Sequence, residues 1–255
     1  MSAPLRVAIV YPDLLGTYGD GGNGLILARR AEWRGVDVEL VQAASDVALP
    51  EADIYCVGGG EDGPQVRAAR SLIDDGTLAR RAAAGAVVLA VCAGYQIVGT
   101  SFPGADGSPH EGVALLDIVT TKGLGARAVG EVVAETEAGT PYTLPTLTGF
   151  ENHGGQTKLG GSGTVPLAHV THGVGNGDGS GTEGAVHGRV LGTYLHGPVL
   201  ARNPALADLV LGWALDDDGA WSSPLDDSAA NALREERLAA TMGTVRRRRR
   251  LGRHR

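Results

Sequence analysis

The 255-residue sequence contains little cysteine, little lysine and few aromatic residues. Its two cysteines, Cys56 and Cys92, are too few for a disulfide framework or a four-cysteine zinc site, so we expect reduced thiols and a cytoplasmic protein without a metal site. No apolar run approaches the ~18 residues of a membrane-spanning helix, so we expect no membrane insertion. The first residues also lack the basic segment, the long apolar segment and the cleavage site of a signal peptide.

The sequence also lacks a P-loop, the glycine-rich loop that binds nucleotide phosphates. The motif G-x-x-x-x-G-K-[ST] requires a lysine followed by serine or threonine, and neither Lys122 nor Lys158 is followed by either residue. We therefore expect this chain to have no means of activating a carboxylate with ATP.

Positive charge is concentrated near one end of the chain. Seven of the 22 basic residues are arginines within 246–255, so the rest of the chain carries 15 basic against 29 acidic residues. An acidic body does not attract nucleic acid non-specifically, and we expect no nucleic-acid partner. We predict a single domain over 1–244, with its core over about 5–215, and a disordered arginine-rich tail over 245–255.

Apolar runs and glycine-rich turns indicate the order of the strands and helices. The first hundred residues predict strands over 5–11, 36–41, 52–57 and 86–91, with helices over 23–33 and 64–84. Continuous apolar strands separated by helices are typical of a mostly parallel α/β sheet with flanking helices. Later residues predict an antiparallel extension and then two helices, with strands over 113–120, 128–135, 146–151, 166–171 and 185–195 and helices over 203–215 and 226–242.

The segment Val91-Cys-Ala-Gly94 is the strongest local indication of chemistry. A buried strand stops at Cys92, and small residues follow as a helix begins, which is the pattern of a nucleophile elbow. A thiol at such a turn has its thiolate stabilised by the helix, and nearby backbone N–H groups can receive an oxyanion. The alternative is a small buried cysteine that happens to end a strand, a description that suits Cys56 well.

A thiol nucleophile needs a base, and two histidines are candidates. His196 lies in Tyr194-Leu-His-Gly-Pro198, immediately after an apolar strand, and His153 is the second candidate. A lone histidine is often structural, so position alone does not choose between them.

Several motifs together resemble a known family. The pairing of Ala90-Val-Cys-Ala-Gly-Tyr-Gln96 with the later Tyr194-Leu-His-Gly-Pro198 resembles the class I (triad) glutamine amidotransferases. The segment Gly149-Phe-Glu-Asn-His-Gly-Gly-Gln-Thr157 is similar to the cobyric-acid-synthase-like branch of that family, and the segments 11–23, 58–65 and 195–204 are similar to its peptidoglycan-amidating members. The resemblance covers about 5–215 and implies a flavodoxin-like amidotransferase domain.

The resemblance assigns roles to four residues around the reaction. It implies that Cys92 attacks the side-chain amide of L-glutamine and forms a thioester, and that His196 moves the protons. It also implies that backbone N–H groups near Gly59 and Gly60, and after the cysteine, hold the oxyanion.

Two further residues are implied to hold the substrate. Gln96 would position glutamine, and Arg127 would bind its α-carboxylate. The alternatives are a helix-surface residue for Gln96 and a surface-loop charge for Arg127.

A partner is implied by the same resemblance. No cofactor is expected in this chain, whereas ATP and magnesium are expected on a Mur-ligase-like synthase subunit that forms a heterodimer with it. The ammonia would pass to that subunit, which would amidate the α-carboxyl of D-glutamate in the peptidoglycan stem peptide.

The sequence departs from the family at one position. Triad amidotransferases commonly carry a glutamate two residues after the histidine, and here that residue is Pro198. Glu151 and Asp20 are possible substitutes within the chain. We favour an acidic residue supplied by the partner, which would make activity depend on assembly.

Other classes of function remain open at this point. Gly58-x-Gly60-x-x-Gly63 matches a dinucleotide-binding pattern, although Glu61 and Asp62 would repel a pyrophosphate. A non-catalytic binding module with the same fold, an amidase of the cobalamin pathway and a thiol hydrolase with the same elbow are the remaining alternatives.

Overall fold

The computed structural model describes residues 3–136, 142–216 and 224–252. Its strands are β1 (Leu5–Val10), β2 (Val38–Ala43), β3 (Ile54–Val57), β4 (Val87–Val91), β5 (Ser101–Pro103), β6 (Pro109–Glu111), β7 (Ile118–Lys122), β8 (Ala128–Glu135), β9 (Leu147–His153), β10 (Gly155–Leu159), β11 (Ala168–His172), β12 (Thr182–Glu183), β13 (Ala185–His187) and β14 (Val190–Thr193). Its helices are α1 (Gly22–Glu32), α2 (Asp62–Asp75), α3 (Thr77–Ala83), α4 (Ala93–Ile97), α5 (Val199–Arg202), α6 (Pro204–Ala214) and α7 (Ser228–Gly252). None of these helices combines the length and the apolar character that a membrane span requires.

A six-stranded sheet forms the centre of the fold. Its strand order is β13-β14-β4-β3-β1-β2, and every neighbouring pair is parallel except β13 with β14 at one edge. The strands β3 and β4 are buried along their whole length, because helices cover both faces of the sheet. The carboxyl ends of the parallel strands therefore meet at one edge, where β4 and β14 deliver the residues that follow them.

The extension consists of two separate four-stranded sheets, whose neighbouring strands are antiparallel as predicted except for the parallel pair β5 and β7. One has the order β10-β7-β5-β6 and the other the order β12-β11-β8-β9. The sequence does not predict β5 and β6, because each has only three residues, includes a proline and shows no alternation of apolar and polar side chains. It also treats 185–195 as one strand, which the structure divides into the hairpin β13 and β14.

Two details of the helices differ from the sequence-based prediction. The helix predicted over 64–84 is divided into α2 and α3 at Gly76, whose φ of 67° is left-handed and therefore ends the first helix. Asn23, the first residue of the helix predicted over 23–33, lies inside the first turn of α1. Its side-chain oxygen accepts a hydrogen bond from the backbone N–H of Leu200, at 3.1 Å, and so ties α5 to α1.

The last helix is longer than predicted. The structure continues α7 past the predicted end at Met242 to Gly252, and the helix thus overlaps the tail predicted to be disordered over 245–255. Arginine is a good helix former, so the run of arginines does not by itself end a helix. The last three residues lie outside the described part of the chain, and the division into a domain and a tail stays a prediction.

A buried arginine fixes the start of α7 to the body of the protein. Arg30 of α1 is 4% exposed and binds Asp208 of α6 at 2.8 Å and Asp227, next to α7, at 2.6 Å. Burial by itself disfavours the charged guanidinium, but the two carboxylates outweigh it and raise the pKa of Arg30. The pairs therefore connect α1 to α6 and to the start of α7, which lie far along the chain from it.

Replacing Arg30 by alanine is expected to lower the free energy of unfolding by about 3 kcal/mol, because the partly buried Asp227 loses its arginine partner and Asp208 keeps only Arg34. The neighbouring Arg29 forms an exposed pair with Glu32 at 2.6 Å, so Arg29→Ala is a matched control with an expected loss below about 1 kcal/mol. Urea unfolding of both variants measures the difference. Equal losses would contradict the anchoring role of Arg30.

Candidate active site

Cys92 lies on a tight turn between β4 and α4. Its φ of 54° and ψ of −106° are strained for a residue with a side chain, as expected at a nucleophile elbow. Its N–H donates to the backbone oxygen of Thr193 on β14 at 2.8 Å, which fixes the turn against the sheet. Gly94 is required just after it, because a Cβ there would lie 2.3 Å from the backbone oxygen of Val57.

His196 follows β14 and is held by a carboxylate of this chain. Its Nδ1 lies 3.2 and 3.3 Å from the two oxygens of Asp20, and both side chains are almost completely buried. A carboxylate accepts hydrogen bonds, so Nδ1 donates and Nε2 is left for proton exchange. Within the described residues, Nε2 has no hydrogen-bond partner.

The cysteine, the histidine and the aspartate meet around Gly59. A Cβ at Gly59 would lie 3.0 Å from Asp20 Oδ2, 3.0 Å from His196 Cε1 and 3.5 Å from Cys92 Cβ. A glycine is therefore needed for the three side chains to converge, and the structure brings together both residues predicted to be catalytic.

The backbone of Gly59 has a different partner from the one that the resemblance implies. Its N–H donates to Asp20 Oδ2 at 2.9 Å, so it holds the carboxylate instead of pointing to an oxyanion. Among the described residues, the N–H groups of Gly60 and Ala93 have no hydrogen-bond acceptor. Both residues line the cavity in front of the thiol, and their oxyanion role stays a prediction.

The structure identifies a candidate within this chain for the third group, which we had expected from the partner. Asp20, in the loop between β1 and α1, already occupies the position beside His196 for which we expected a residue of the partner. The other substitute, Glu151, accepts hydrogen bonds from two backbone N–H groups after β11 and lies 3.6 Å from Nε2 of His153. Asp20 is therefore the candidate within this chain, and a carboxylate supplied by the partner stays a prediction.

The surroundings of His196 favour its charged form. Burial disfavours an imidazolium, but the hydrogen bond to Asp20 and the neighbouring Cys92 outweigh burial and raise the pKa of His196 to about 10. The ring is therefore cationic at neutral pH.

This raised pKa predicts a specific dependence of stability on pH. Between the unfolded pKa of ~6.5 and the folded pKa of about 10, the folded chain binds more protons at His196 than the unfolded chain does. The stability that His196 contributes is complete below this window and is lost as pH rises through it, by up to about 1.4 kcal/mol per pH unit. Urea unfolding from pH 6 to pH 10 should show this decline in the wild type relative to His196→Gln, and parallel pH profiles would contradict it.

A cavity of about 210 Å³ opens in front of Cys92. It is smaller than the ~300–1,000 Å³ pockets of drug-sized ligands, which suits a substrate of amino-acid size. The positively charged side chains in its wall are Arg127 and Lys122, and Asp62 adds one negative charge. Other lining residues are Gly60, Gln65, Ala93, Gln96, Pro103, Gly104, Gly123, Gly125, His153, Gly154 and Gly155.

Gln96 is buried in the cavity wall and is not a helix-surface residue. Its Oε1 accepts from Gln65 Nε2 at 2.8 Å, and its Nε2 donates to Tyr194 Oη at 3.1 Å. The ring of His153 stacks on Tyr194 at 3.7 Å, and its Nδ1 lies 3.0 Å from the oxygen of Gly155. The second candidate base is thus part of the cavity wall, whereas the histidine bound to the carboxylate is His196.

Arg127 is exposed at the rim of the cavity but is held in place. Its Nε donates to Asn152 Oδ1 at 2.5 Å, and its Nη2 donates to the backbone oxygen of Asn152 at 2.9 Å. The sequence does not reveal Asn152 or Gln65 as site residues, because only the folded chain brings them beside Arg127 and Gln96.

A parallel sheet that presents a cysteine elbow beside a histidine and a carboxylate is the arrangement of a class I glutamine amidotransferase. The model of the CobB/CobQ-like glutamine amidotransferase domain matches residues 6–204, and the chain belongs to this family. The family predicted from the sequence is confirmed.

Two curated relatives are named lipid II isoglutaminyl synthase (glutamine-hydrolyzing) subunit GatD. The protein of Staphylococcus aureus is 37% identical over 210 residues, which are 81% of this chain and 83% of the relative. The protein of Streptococcus pneumoniae is 35% identical over 211 residues, which are 80% of this chain and 77% of the relative.

A solved structure supports the fold. The glutaminase domain of Trypanosoma brucei CTPS, with bound acivicin, has a TM-score of 0.50 and 13% sequence identity, and the match covers 85% of this chain and 96% of that chain. At this identity the likeness concerns the fold alone, and it confirms the predicted amidotransferase architecture.

Proposed function

We propose that this chain is the glutamine-hydrolysing subunit of a lipid II isoglutaminyl synthase. The observation that carries the proposal is the convergence of Cys92, His196 and Asp20 beside a cavity of amino-acid size. The two relatives named for this activity support it, because each matches about four fifths of this chain.

The first half of the reaction forms a thioester. The thiolate of Cys92 attacks the side-chain amide carbon of L-glutamine, and the carbonyl electrons move onto oxygen. A cationic imidazole beside a thiol stabilises the thiolate, which is the attacking species. The tetrahedral intermediate then collapses, its C–N bond breaks, and His196 gives a proton to the departing ammonia.

The second half releases glutamate. His196, now neutral, takes a proton from water, whose oxygen attacks the thioester carbon. The C–S bond breaks, which restores the thiolate of Cys92 and the imidazolium. Asp20 keeps the proton on Nδ1 throughout, so that Nε2 exchanges the protons.

The remaining site residues hold the substrate and the developing charge. Gly60 and Ala93 line the cavity together with Cys92, and their N–H groups would stabilise the oxyanion. Arg127 would bind the α-carboxylate of glutamine at the rim, and Gln96 would contact the substrate from the cavity wall.

The ammonia would be used by a second subunit. A Mur-ligase-like partner with bound ATP and magnesium would activate the α-carboxyl of D-glutamate in the stem peptide of lipid II and receive the ammonia. The proposal places the reaction in the cytoplasm, where ATP is available and thiols stay reduced.

Reconstitution with a Mur-ligase-like chain from the same genome tests the proposal. With amide-¹⁵N-labelled glutamine and ATP, the assembled pair should release glutamate and transfer ¹⁵N into lipid II. Cys92→Ala in place of the wild type should abolish both signals, and added ammonium chloride should restore amidation alone. Absence of glutamate release by the wild-type pair, or transfer of ¹⁵N to cobyrinic acid instead of lipid II, would refute the proposal.

A further inference from the structure

Asn152, on β9, connects the arginine at the cavity rim to the loop that carries Asp20. It accepts two hydrogen bonds from Arg127, through its side-chain and backbone oxygens. Its Nδ2 donates to Tyr18 Oη at 2.9 Å. One side chain thus contacts both the rim of the cavity and the loop between β1 and α1.

The orientation of the Asn152 amide follows from these two neighbours. The guanidinium of Arg127 has only donors, so it must face Oδ1. Nδ2 is then directed to Tyr18, whose hydroxyl accepts the bond. The reverse orientation would place two donors against each other, so a single arrangement satisfies all three side chains.

Tyr18 packs directly against His196. The centroids of the two rings are 4.8 Å apart and the rings are tilted by 55°. An aromatic ring that packs at this distance helps to fix the position of the imidazole. Tyr18 and His196 also line a second cavity, of about 450 Å³, whereas Cys92 and Arg127 line the first.

Tyr18 lies in the same loop as Asp20, so its position also affects the Asp20 carboxylate. Tyr18 lies two residues before Asp20, and Gly19 between them has a φ of 74°. The hydroxyl of Tyr18 is therefore a point at which β9 holds the same loop that orients His196.

We propose that Asn152 and Tyr18 are positioning residues that couple the binding of the glutamine α-carboxylate at Arg127 to the orientation of the His196 imidazole. The coupling rests on the function proposed above. A carboxylate on Arg127 fixes the guanidinium, the guanidinium fixes Asn152, and Asn152 holds the ring of Tyr18 against His196. When the ligand has no α-carboxylate, the contacts from Arg127 through Asn152 and Tyr18 to His196 are not fixed. Glutamine is therefore hydrolysed faster than amides that lack an α-carboxylate.

A double-mutant cycle between Arg127 and Tyr18 tests the coupling, since Asn152 is the residue that joins the two side chains within the described part of the chain. Tyr18→Phe keeps the ring on His196 and removes the hydroxyl, and we expect kcat for glutamine to fall about fivefold. In an Arg127→Ala background the same change should have almost no effect, because the connection is already broken. Asn152→Ala should likewise lower kcat in the wild-type background and have almost no effect in the Arg127→Ala background.

Tyr55→Phe is the matched control. It removes a hydroxyl that bonds the backbone of Ala52 and Pro50, and it should leave kcat unchanged.

Equal effects of Tyr18→Phe in both backgrounds would overturn the coupling and indicate a purely structural hydroxyl. No effect in either background would overturn it as well.

A measurement without turnover separates this inference from the proposed function. In Cys92→Ala protein, glutamine should shift the ring ¹⁵N resonances of His196, and the shift should be lost with Asn152→Ala or Tyr18→Phe. A shift that persists in both variants overturns the coupling even if the wild type hydrolyses glutamine. A wild-type pair that hydrolyses no glutamine refutes the proposed function instead.

Discussion

Replacing Cys92 by serine is expected to lower glutamine hydrolysis by at least ~10³-fold, because a serine hydroxyl beside His196 is a far weaker nucleophile than a thiolate. The fold should be retained, since serine is close to cysteine in size and the strained turn depends on the backbone and on Gly94. Glutamate release measures the activity, and circular dichroism with urea unfolding measures the fold.

The second cysteine provides the matched control. Cys56 lies inside β3, and burial raises the pKa of its thiol to about 12. Cys56→Ala should therefore keep most of the activity. Iodoacetamide should label Cys92 and spare Cys56, and glutamine should protect Cys92 from labelling. Full activity of Cys92→Ser would refute the assignment of the nucleophile, and labelling that glutamine does not slow would refute the assignment of the substrate cavity.

Features that depend on neighbouring residues could be predicted from the sequence. The strands β1, β3 and β4 are continuous apolar runs, and the elbow at Cys92 is encoded by the small residues that follow a buried strand. His196 was one of two candidates from its position after a strand, and the family resemblance was needed to choose it.

Features that depend on distant residues could not be predicted in the same way. Asp20 and His196 are 176 positions apart, and the sequence offers Asp20 only as one of two possible acidic residues, without a signal that chooses it over Glu151. The same holds for Asn152 and Tyr18, which are 134 positions apart. Short strands such as β5 and β6 have too few residues to show a periodic pattern, and they form because β5 pairs with β7 and β6 pairs with β5.

Replacing Asp20 by asparagine is expected to lower kcat by ~10³–10⁴-fold, as the loss of an orienting carboxylate does in other triads. The reason is the tautomer of His196. The N–H of Gly59 binds Asp20 Oδ2 and will retain an acceptor there, so the amide nitrogen of the new side chain takes the position of Oδ1, which lies 3.3 Å from His196 Nδ1. Nδ1 then becomes the acceptor, the proton moves to Nε2, and Nε2 no longer accepts a proton from water.

The same change should lower the pKa of His196. Burial, which disfavours the imidazolium, remains in the variant, whereas the hydrogen bond that opposes it is weakened. Titration of the ring by NMR should therefore give a pKa below the value of about 10 in the wild type, and the stability lost between pH 6.5 and pH 10 should be smaller.

Asp13→Asn is the matched control for the loop. Asp13 lies in the same loop between β1 and α1, but its carboxylate accepts hydrogen bonds from Ser45 at the surface. This variant should keep kcat within about twofold of the wild type, because surface substitutions away from the site have small effects. Comparable losses in both variants would indicate that the loop is merely destabilised.

The assembled pair decides between Asp20 and an acidic residue of the partner. If Asp20 orients His196, the Asp20→Asn chain stays inactive when the Mur-ligase-like subunit is bound, although the complex still forms. If the partner supplies the carboxylate, assembly restores the activity of Asp20→Asn, and the contact between Asp20 and His196 is structural. Because Gly59, Asp20 and His196 already form a closed set of hydrogen bonds and contacts within one chain, we expect the first result.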